Sequence, residues 1–466
     1  MLSVADAARR VIERVPRLAC ERVPLDASVG RILADDIVAS RALPGFDNSA
    51  MDGYALRAAD TPGALPVIGE VAAGALRTEP VPPRSCVRIF TGAPLPADLD
   101  TVVMQEDVTR DGNLVTFPSS PVGDNVRRAG EDVAIGDVVL TAGTRITPWH
   151  TGLLAALGIA HVPVSRAPRV AIIATGDELV DVDVVPGPGQ LVASSSHALA
   201  ALIRECGGEP HVLGIARDDI DTITQMIAHA LGSPASSVSA GAGAAAASSA
   251  AAASSTGARS SAGAFDAVIT TGGVSVGDRD HVHAALAAAG VTRELYKVAM
   301  KPGKPFAFGT NVGPVPISRA TGATEGATPH FGVPVFGLPG NPVSTVVAFE
   351  LFVRPALLAM QRAAVIDRPR ARVHLATAYR KQAGRAHYLR ATVTREPSGA
   401  VPSASSSASP SASPTASGRL IARPHAKQGS AMLSSLVGPN ALVEIPADAT
   451  EIAEGALVTA ILLEAV

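Results

Sequence analysis

Three stretches of the chain set chemistry-bearing residues just beyond apolar runs. ATGDEL (174–179) carries Thr175, Gly176, Asp177 and Glu178. TGGVSVGDRD (271–280) carries Gly272, Gly273, Ser275, Asp278 and Asp280, and LPGNPVS (338–344) carries Pro339, Asn341 and Pro342. A glycine-rich loop lets backbone amides approach a phosphate closely. Asn341 suits a helix N-cap and Pro342 the first helical position, so the free amides of that helix start favour an anion. Neither a Walker A pattern nor a GxGxxG fingerprint is present. Of 39 basic residues only five are lysines, and Lys297, Lys301 and Lys304 fall within eight positions of YKVAMKPGKPFAFG. A chain that otherwise uses Arg keeps a compact ammonium here, which suits a phosphate or another tetrahedral oxyanion. Asp177, Glu178, Asp218, Asp278 and Asp280 would repel that anion unless a divalent cation bridged them. The mixture therefore implies Mg²⁺ with a phosphorylated ligand. The structural alternatives are a chance lysine cluster, helix capping by Asp218 and a plain turn at Glu178.

These residues need a scaffold that brings strand ends together. RVAIIATGDEL, FDAVITTGG and VPVFGLPG read as buried strands. They alternate with helices at HALAALIRECGG, at the segment reaching Leu231 behind Asp218 or Asp219, and at HVHAALAAAG. The pattern predicts a doubly wound α/β domain over 169–365 with a mostly parallel sheet, whose ligands bind outside the carboxyl ends of the strands. Residues 1–168 begin with an amphipathic helix and continue as a β-rich region. There Asp52 lies in GFDNSAMDGYALR, Thr91 in RIFTGAP, and Arg127 and Asp132 in NVRRAGEDV. Taken singly, each reads as a turn residue. Residues 366–466 alternate as a small β-barrel or sandwich. The expected class is thus α/β and β multidomain. Two low-complexity Ala/Ser segments, 233–264 and 399–418, read as surface insertions.

Composition narrows the function. The 466 residues are 47% apolar with a net charge of −3, which argues against a nucleic-acid protein working through bulk positive charge. Cys20, Cys86 and Cys206 are far apart, which excludes a disulfide scaffold and any CxxC metal site. The N-terminal helix lacks the apolar core of a signal peptide, and no apolar run approaches the ~20 residues that span a bilayer. A cytoplasmic protein, with no nucleic acid or membrane partner, is expected.

The motifs also form an ordered set. PGFDNSAMDGYA, RIFTGAP, VRRAGED, ATGDEL, TGGVSVGD, KPGKPFAFG and GLPGNPVS resemble, in that order, the MoeA/gephyrin family of molybdopterin molybdotransferases. The resemblance covers nearly the whole chain outside the insertions. It implies insertion of molybdenum from molybdate into adenylylated molybdopterin, with release of AMP, formation of molybdenum cofactor and dependence on Mg²⁺. It implies a homodimer whose active site joins the central domain of one subunit to the N-terminal region of the other, and a molybdopterin adenylyltransferase as candidate partner. Catalytic roles then fall to Asp52, Thr91, Glu178, Asp218, Lys297 and Lys301, with Glu178 and Asp218 as metal ligands. Ligand binding falls to Arg127, Asp132, Thr175, Gly176, Asp177, Gly272, Gly273, Ser275, Asp280, Pro339 and Pro342. One turn departs from the pattern. After Gly189-Gln190, Ala193 and Ser195 stand where the family often has an acid and an Asn. The alternative functions are a molybdopterin adenylyltransferase, disfavoured by the N- and C-terminal domains, and a non-catalytic gephyrin-like scaffold.

Overall fold

A computed structural model describes residues 1–232, 265–273, 281–311, 332–396 and 418–464. The expected insertions 233–264 and 399–418 fall outside these residues, except for Gly418, as do Ser275 and Asp280. The chain forms two compact units, Cys20–Val164 and Met1–Ala19 with Ser165–Val466. The first helix, Val4–Ile12, belongs to the second of these units. Its buried Ala7 and Val11 join the large core of the second unit.

The second unit is built on a six-stranded sheet. Its order is Glu209–Ala216, Arg169–Thr175, Ala267–Thr271, Pro334–Leu338, Ala307–Thr310 and Thr292–Tyr296. The first four strands are parallel, and Ala307–Thr310 runs antiparallel to both of its neighbours. Strand alternation explains the layers. Val170, Ile172, Ile269 and Phe336 face one core, shared with the helices Ser194–Glu205 and Pro342–Ala348. Ala171, Ile173, Val268 and Val335 face the other, under Ile220–Ala230 and His281–Ala288. This is the doubly wound arrangement, with the strand carboxyl ends left open.

The helical stretch Pro342–Met360 corrects one expectation. It has 19 residues and is long and apolar enough to cross a membrane, but 83% of its most apolar window is buried within the protein. It is a core helix interrupted by a π-turn at Phe349–Val353, just before Pro355. Proline supplies no amide for the regular ladder, and a π-turn absorbs the mismatch. Buried Glu350, on that turn, accepts both a 3.0 Å Nε bond and a 3.0 Å guanidinium bond from Arg368.

Strands Arg370–Leu375, Ala386–Glu396, Arg419–Pro424, Ala441–Ile445 and Leu457–Leu462 close into a ring, each pairing with two others. Their inward residues, among them Val373, Leu389, Ala422, Val443 and Val458, fill the interior. The C-terminal region is thus a five-stranded closed barrel. In the other unit, a six-stranded sheet runs Thr101–Met104, Gly53–Leu56, Cys86–Ile89, Gly63–Val71, Leu114–Phe117 and Thr109–Asp111.

Candidate functional site

A cavity of about 620 Å³ opens at the carboxyl ends of the parallel strands. Each strand delivers its own contribution. Thr175 ends Arg169–Thr175, Asp218 follows Glu209–Ala216, Gly272 and Gly273 follow Ala267–Thr271, and Pro339 and Pro342 follow Pro334–Leu338. Gly176 and Glu178 also line it. Eight residues expected from the sequence thus meet in one place. Asp177 ties the wall, its carboxylate accepting the Asp218 amide at 3.2 Å.

Close backbone approach explains the glycines. A Cβ on Gly272 would lie 2.3 Å from the Thr175 carbonyl oxygen, and its φ of +102° already disfavours a side chain. Only glycine lets these two strand ends touch. At Gly176 the crowding is by a side chain: a Cβ would sit 2.6 Å from Glu178 Oε2, so the Glu178 carboxylate folds back over this residue.

Two sequence alternatives are resolved by hydrogen bonds. Asp219 caps the next helix, its side chain accepting the Asp221 and Thr222 amides at 3.0 Å each. Asp218 is therefore not the cap and faces the cavity. Asn341 stands at the N-cap position, but its side chain makes no capping bond. Its amide donates instead to Ser430 Oγ at 3.2 Å. This corrects the expected cap: the first helical amide, that of Val343, donates to the Ser430 carbonyl at 3.1 Å instead.

Ser430 belongs to a turn that the sequence reading missed. Ala431 and Leu433 of the C-terminal region line the cavity. Arg390, only 1% exposed, holds that turn by donating to the carbonyls of Lys427 and Gly429 and to Ser435 Oγ, at 3.0, 3.2 and 3.2 Å. The available signal was the charge itself, an Arg inside the otherwise apolar strand HYLRATV.

The lysine cluster is spread out. Lys297 has φ +67°, donates its amide to the Phe306 carbonyl at 3.1 Å, and lays Nζ 4.6 Å from the Tyr296 ring centroid. Lys301 pairs with His387 in a short ladder. Neither lines the cavity, whereas Pro305, next to Lys304, does. His387 is buried against the Tyr379 hydroxyl at 3.0 Å. Burial, aided by the charges of Lys301, Lys381 and Arg385, pulls its pKa down to about 4, so it is neutral at pH 7.

Glu178 and Asp218 are the carboxylates on the cavity wall. Among the described residues no cluster of three or more His, Cys, Asp or Glu side chains could hold a metal. Two carboxylates still fit Mg²⁺, which keeps several waters and takes remaining ligands from substrate phosphates.

The other unit positions the remaining candidates. Asp52 accepts both the amide and the hydroxyl of Thr91, each at 2.8 Å. Arg88 stands nearby, its guanidinium 5.0 Å from the Tyr54 ring centroid. Arg127 pairs with Asn48, and the Asp132 amide bonds the Leu43 carbonyl at 3.0 Å. The Thr91 amide, then its hydroxyl, then the Arg88 charge hold the Asp52 pKa below the usual carboxylate range. A depressed folded pKa contributes stability that is present above the unfolded value and lost as pH falls through the folded one. Thr91→Val removes the hydroxyl donor and is expected to move the Asp52 titration upward, read by carbon NMR of its carboxyl. An unchanged titration would refute the hydroxyl's part.

Comparison with known proteins finds three family models in order along the chain. A family model described as the MoeA N-terminal region (domain I and II) matches residues 2–158. One described as a probable molybdopterin binding domain matches 171–244 and 244–359, and one described as the MoeA C-terminal region (domain IV) matches 372–463. A molybdopterin molybdenumtransferase of Nostoc sp. is 36% identical over 370 residues, covering 77% of this chain and 74% of its own. Molybdopterin molybdenumtransferase 2 of Mycobacterium tuberculosis is 34% identical over 471 residues, 98% of each chain. The crystal structure of the molybdopterin biosynthesis moeA protein from Pyrococcus horikoshii OT3 has a TM-score of 0.74 and 29% identity, covering 99% of this chain and 100% of that one.

Proposed function

The chain belongs to the MoeA family, and from that premise we propose that it is a molybdopterin molybdenumtransferase. It inserts molybdenum from molybdate into adenylylated molybdopterin and releases AMP. The observation that carries this reading is the cavity where four parallel strands end, walled by glycines and holding two carboxylates. A pocket of this volume suits a pterin nucleotide, and open α/β sheets bind ligands at this end.

The chain's own residues divide the work. The Gly272–Gly273 turn lets a phosphate approach the backbone closely at the cavity wall, while the Gly272 and Val343 amides stay bonded within the protein, to the Leu338 and Ser430 carbonyls. Glu178 and Asp218 hold Mg²⁺, which when bound polarises the phosphoryl oxygens of the pyrophosphate bond. Asp177 fixes the backbone of Asp218. Lys297 and Lys301, which stand off the cavity wall, lend their positive charge to the oxyanion at longer range, and Ser275 and Asp280 contribute further ligand contacts. The working form is a cytoplasmic homodimer, in which Asp52, Thr91, Arg127 and Asp132 of one copy complete the pocket of the other. A molybdopterin adenylyltransferase hands over the adenylylated substrate. What supports this division is the ordered motif set, the cavity and the exposed Asp52–Thr91 pair.

The test is incubation of the full chain with adenylylated molybdopterin, molybdate and Mg²⁺. Molybdenum cofactor and AMP should appear together. Absence of both would end the reading. Consumption of ATP to adenylylate free molybdopterin would replace it with the adenylyltransferase.

A further inference from the structure

One wall of the cavity carries three consecutive serines without an assigned role. Ser194, Ser195 and Ser196 open the 12-residue helix Ser194–Glu205, whose N-cap is Ala193 and which receives no side-chain cap. The Ser196 amide turns back onto the Ala193 carbonyl at 3.2 Å, and the amides of Ser194 and Ser195 lack the side-chain acceptor that Asp219 gives the helix Ile220–Ala230. Ser195 and Ser196 are 9% and 3% exposed. Ser196 Oγ is buried with no hydrogen-bond partner, and so is Oγ1 of Thr175, which is 2% exposed. Both residues line the cavity. Buried hydroxyls are rarely left unpaired, because the lost bonds to water go uncompensated. Two such hydroxyls on one cavity, off two different elements, point to a ligand that accepts from them. Ala193, also on the wall, brings no carboxylate to oppose it.

We infer that Ser194–Ser196 and Thr175 form an oxoanion subsite of the cavity. It takes a tetrahedral dianion through hydroxyls and uncapped helix amides: either the phosphate of the pterin ligand or molybdate. The inference rests on reading the cavity as the molybdopterin site, and it names which wall holds the anion. Glu178 and Asp218 are the carboxylates lining the same cavity, Glu178 next to the short strand Leu179–Val180 that pairs with the segment leading into the serines. Neutral serine donors hold an oxoanion without placing beside it a cationic group that those carboxylates would capture. The helix start adds its own partial positive charge.

Isothermal titration of the full chain with inorganic phosphate and with molybdate, separately, tests this. The variants are a Ser195→Ala/Ser196→Ala double replacement and Ala193→Asp. Loss of hydrogen bonds to a charged group is expected to weaken binding about tenfold or more in the double variant. Weakening for phosphate alone assigns the ligand's phosphate, and weakening for molybdate alone assigns molybdate. Ala193→Asp offers an independent sign. A carboxylate there caps the amides and repels the anion, so the thermal midpoint should rise while oxoanion binding falls. Parental affinity for both probes in both variants would overturn the subsite, as would a parent that binds neither probe up to millimolar concentration. The two readings fail separately. A parent that forms molybdenum cofactor, with variants that bind oxoanions as it does, loses only the subsite. A parent that binds oxoanions through the serines but releases no AMP loses only the proposed reaction.

Discussion

Glu178→Gln and Asp218→Asn are each expected to lower molybdenum insertion by about 10²-fold or more while leaving the fold intact. Amides match the acids in size and keep one acceptor oxygen, so what is removed is charge. Neither carboxylate is spent on the fold. Asp219, not Asp218, caps the neighbouring helix, and Glu178 lies exposed over Gly176 on the cavity rim. Loss of an exposed carboxylate without a capping bond costs little stability. If both acids hold Mg²⁺, each variant should also need more Mg²⁺ for half-maximal AMP release. Either variant with parental AMP release at limiting Mg²⁺ would remove that residue from the chemistry. A control replaces Asp219 by Asn, which keeps a capping oxygen and should leave turnover near the parent.

Much of this arrangement is legible in the sequence, for physical reasons. The strands ending in Thr175, Thr271 and Leu338 are buried on both faces, so they read as unbroken apolar runs. Ligand residues of an open α/β sheet follow such runs directly, so finding the strands also found Glu178, Gly272 and Pro339. Barrel strands alternate inward and outward, and that period survived in RVHLATAYR and HYLRATVTR. What the sequence hid depends on contacts between distant segments. The turn at Ser430 reaches the cavity because Arg390, 40 positions earlier in the chain, anchors it. The choice between Asp218 and Asp219 as cap is a one-residue register decision that composition does not carry. The three lysines are close in sequence, yet none of them lines the cavity. The chain turns between Val298, whose amide donates to the Lys304 carbonyl at 3.1 Å, and Lys304 itself, and Lys301 within that turn is drawn into a ladder with the barrel strand at His387. The first helix packs its apolar stripe on a core that includes residues more than 150 positions later, such as Leu199 and Phe306, a contact that no local pattern carries. The insertion 233–264 lies outside the described residues, but its flanks are informative. The Phe265 amide donates to the Ala230 carbonyl at 3.0 Å. Those flanks, Ala230 and Phe265, lie ahead of the strand Ala267–Thr271, at the end opposite its carboxyl terminus.

Gly272→Ala is expected to cost about 3 kcal/mol or more and to abolish molybdenum insertion, far beyond what one methyl group does elsewhere. Two costs combine. A non-glycine residue at positive φ is strained by roughly 1–2 kcal/mol. The new Cβ would also fall 2.3 Å from the Thr175 carbonyl oxygen and 2.8 Å from its hydroxyl, so the strand end must move. Backbone cannot rotate away as a flexible side chain can, and the interior around Thr175 is close-packed. Gly290→Ala separates the two costs. Gly290 has φ +78° with nothing within 4 Å of the new Cβ, and it closes the helix His281–Ala288 away from the cavity. It should lose only the backbone part, about 1 kcal/mol, and keep full activity. Denaturant unfolding of both variants beside the parent measures the difference, and AMP release measures the site. Equal stability losses in the two, with Gly272→Ala still active, would show that the strand ends have room to part and that the cavity does not depend on their contact.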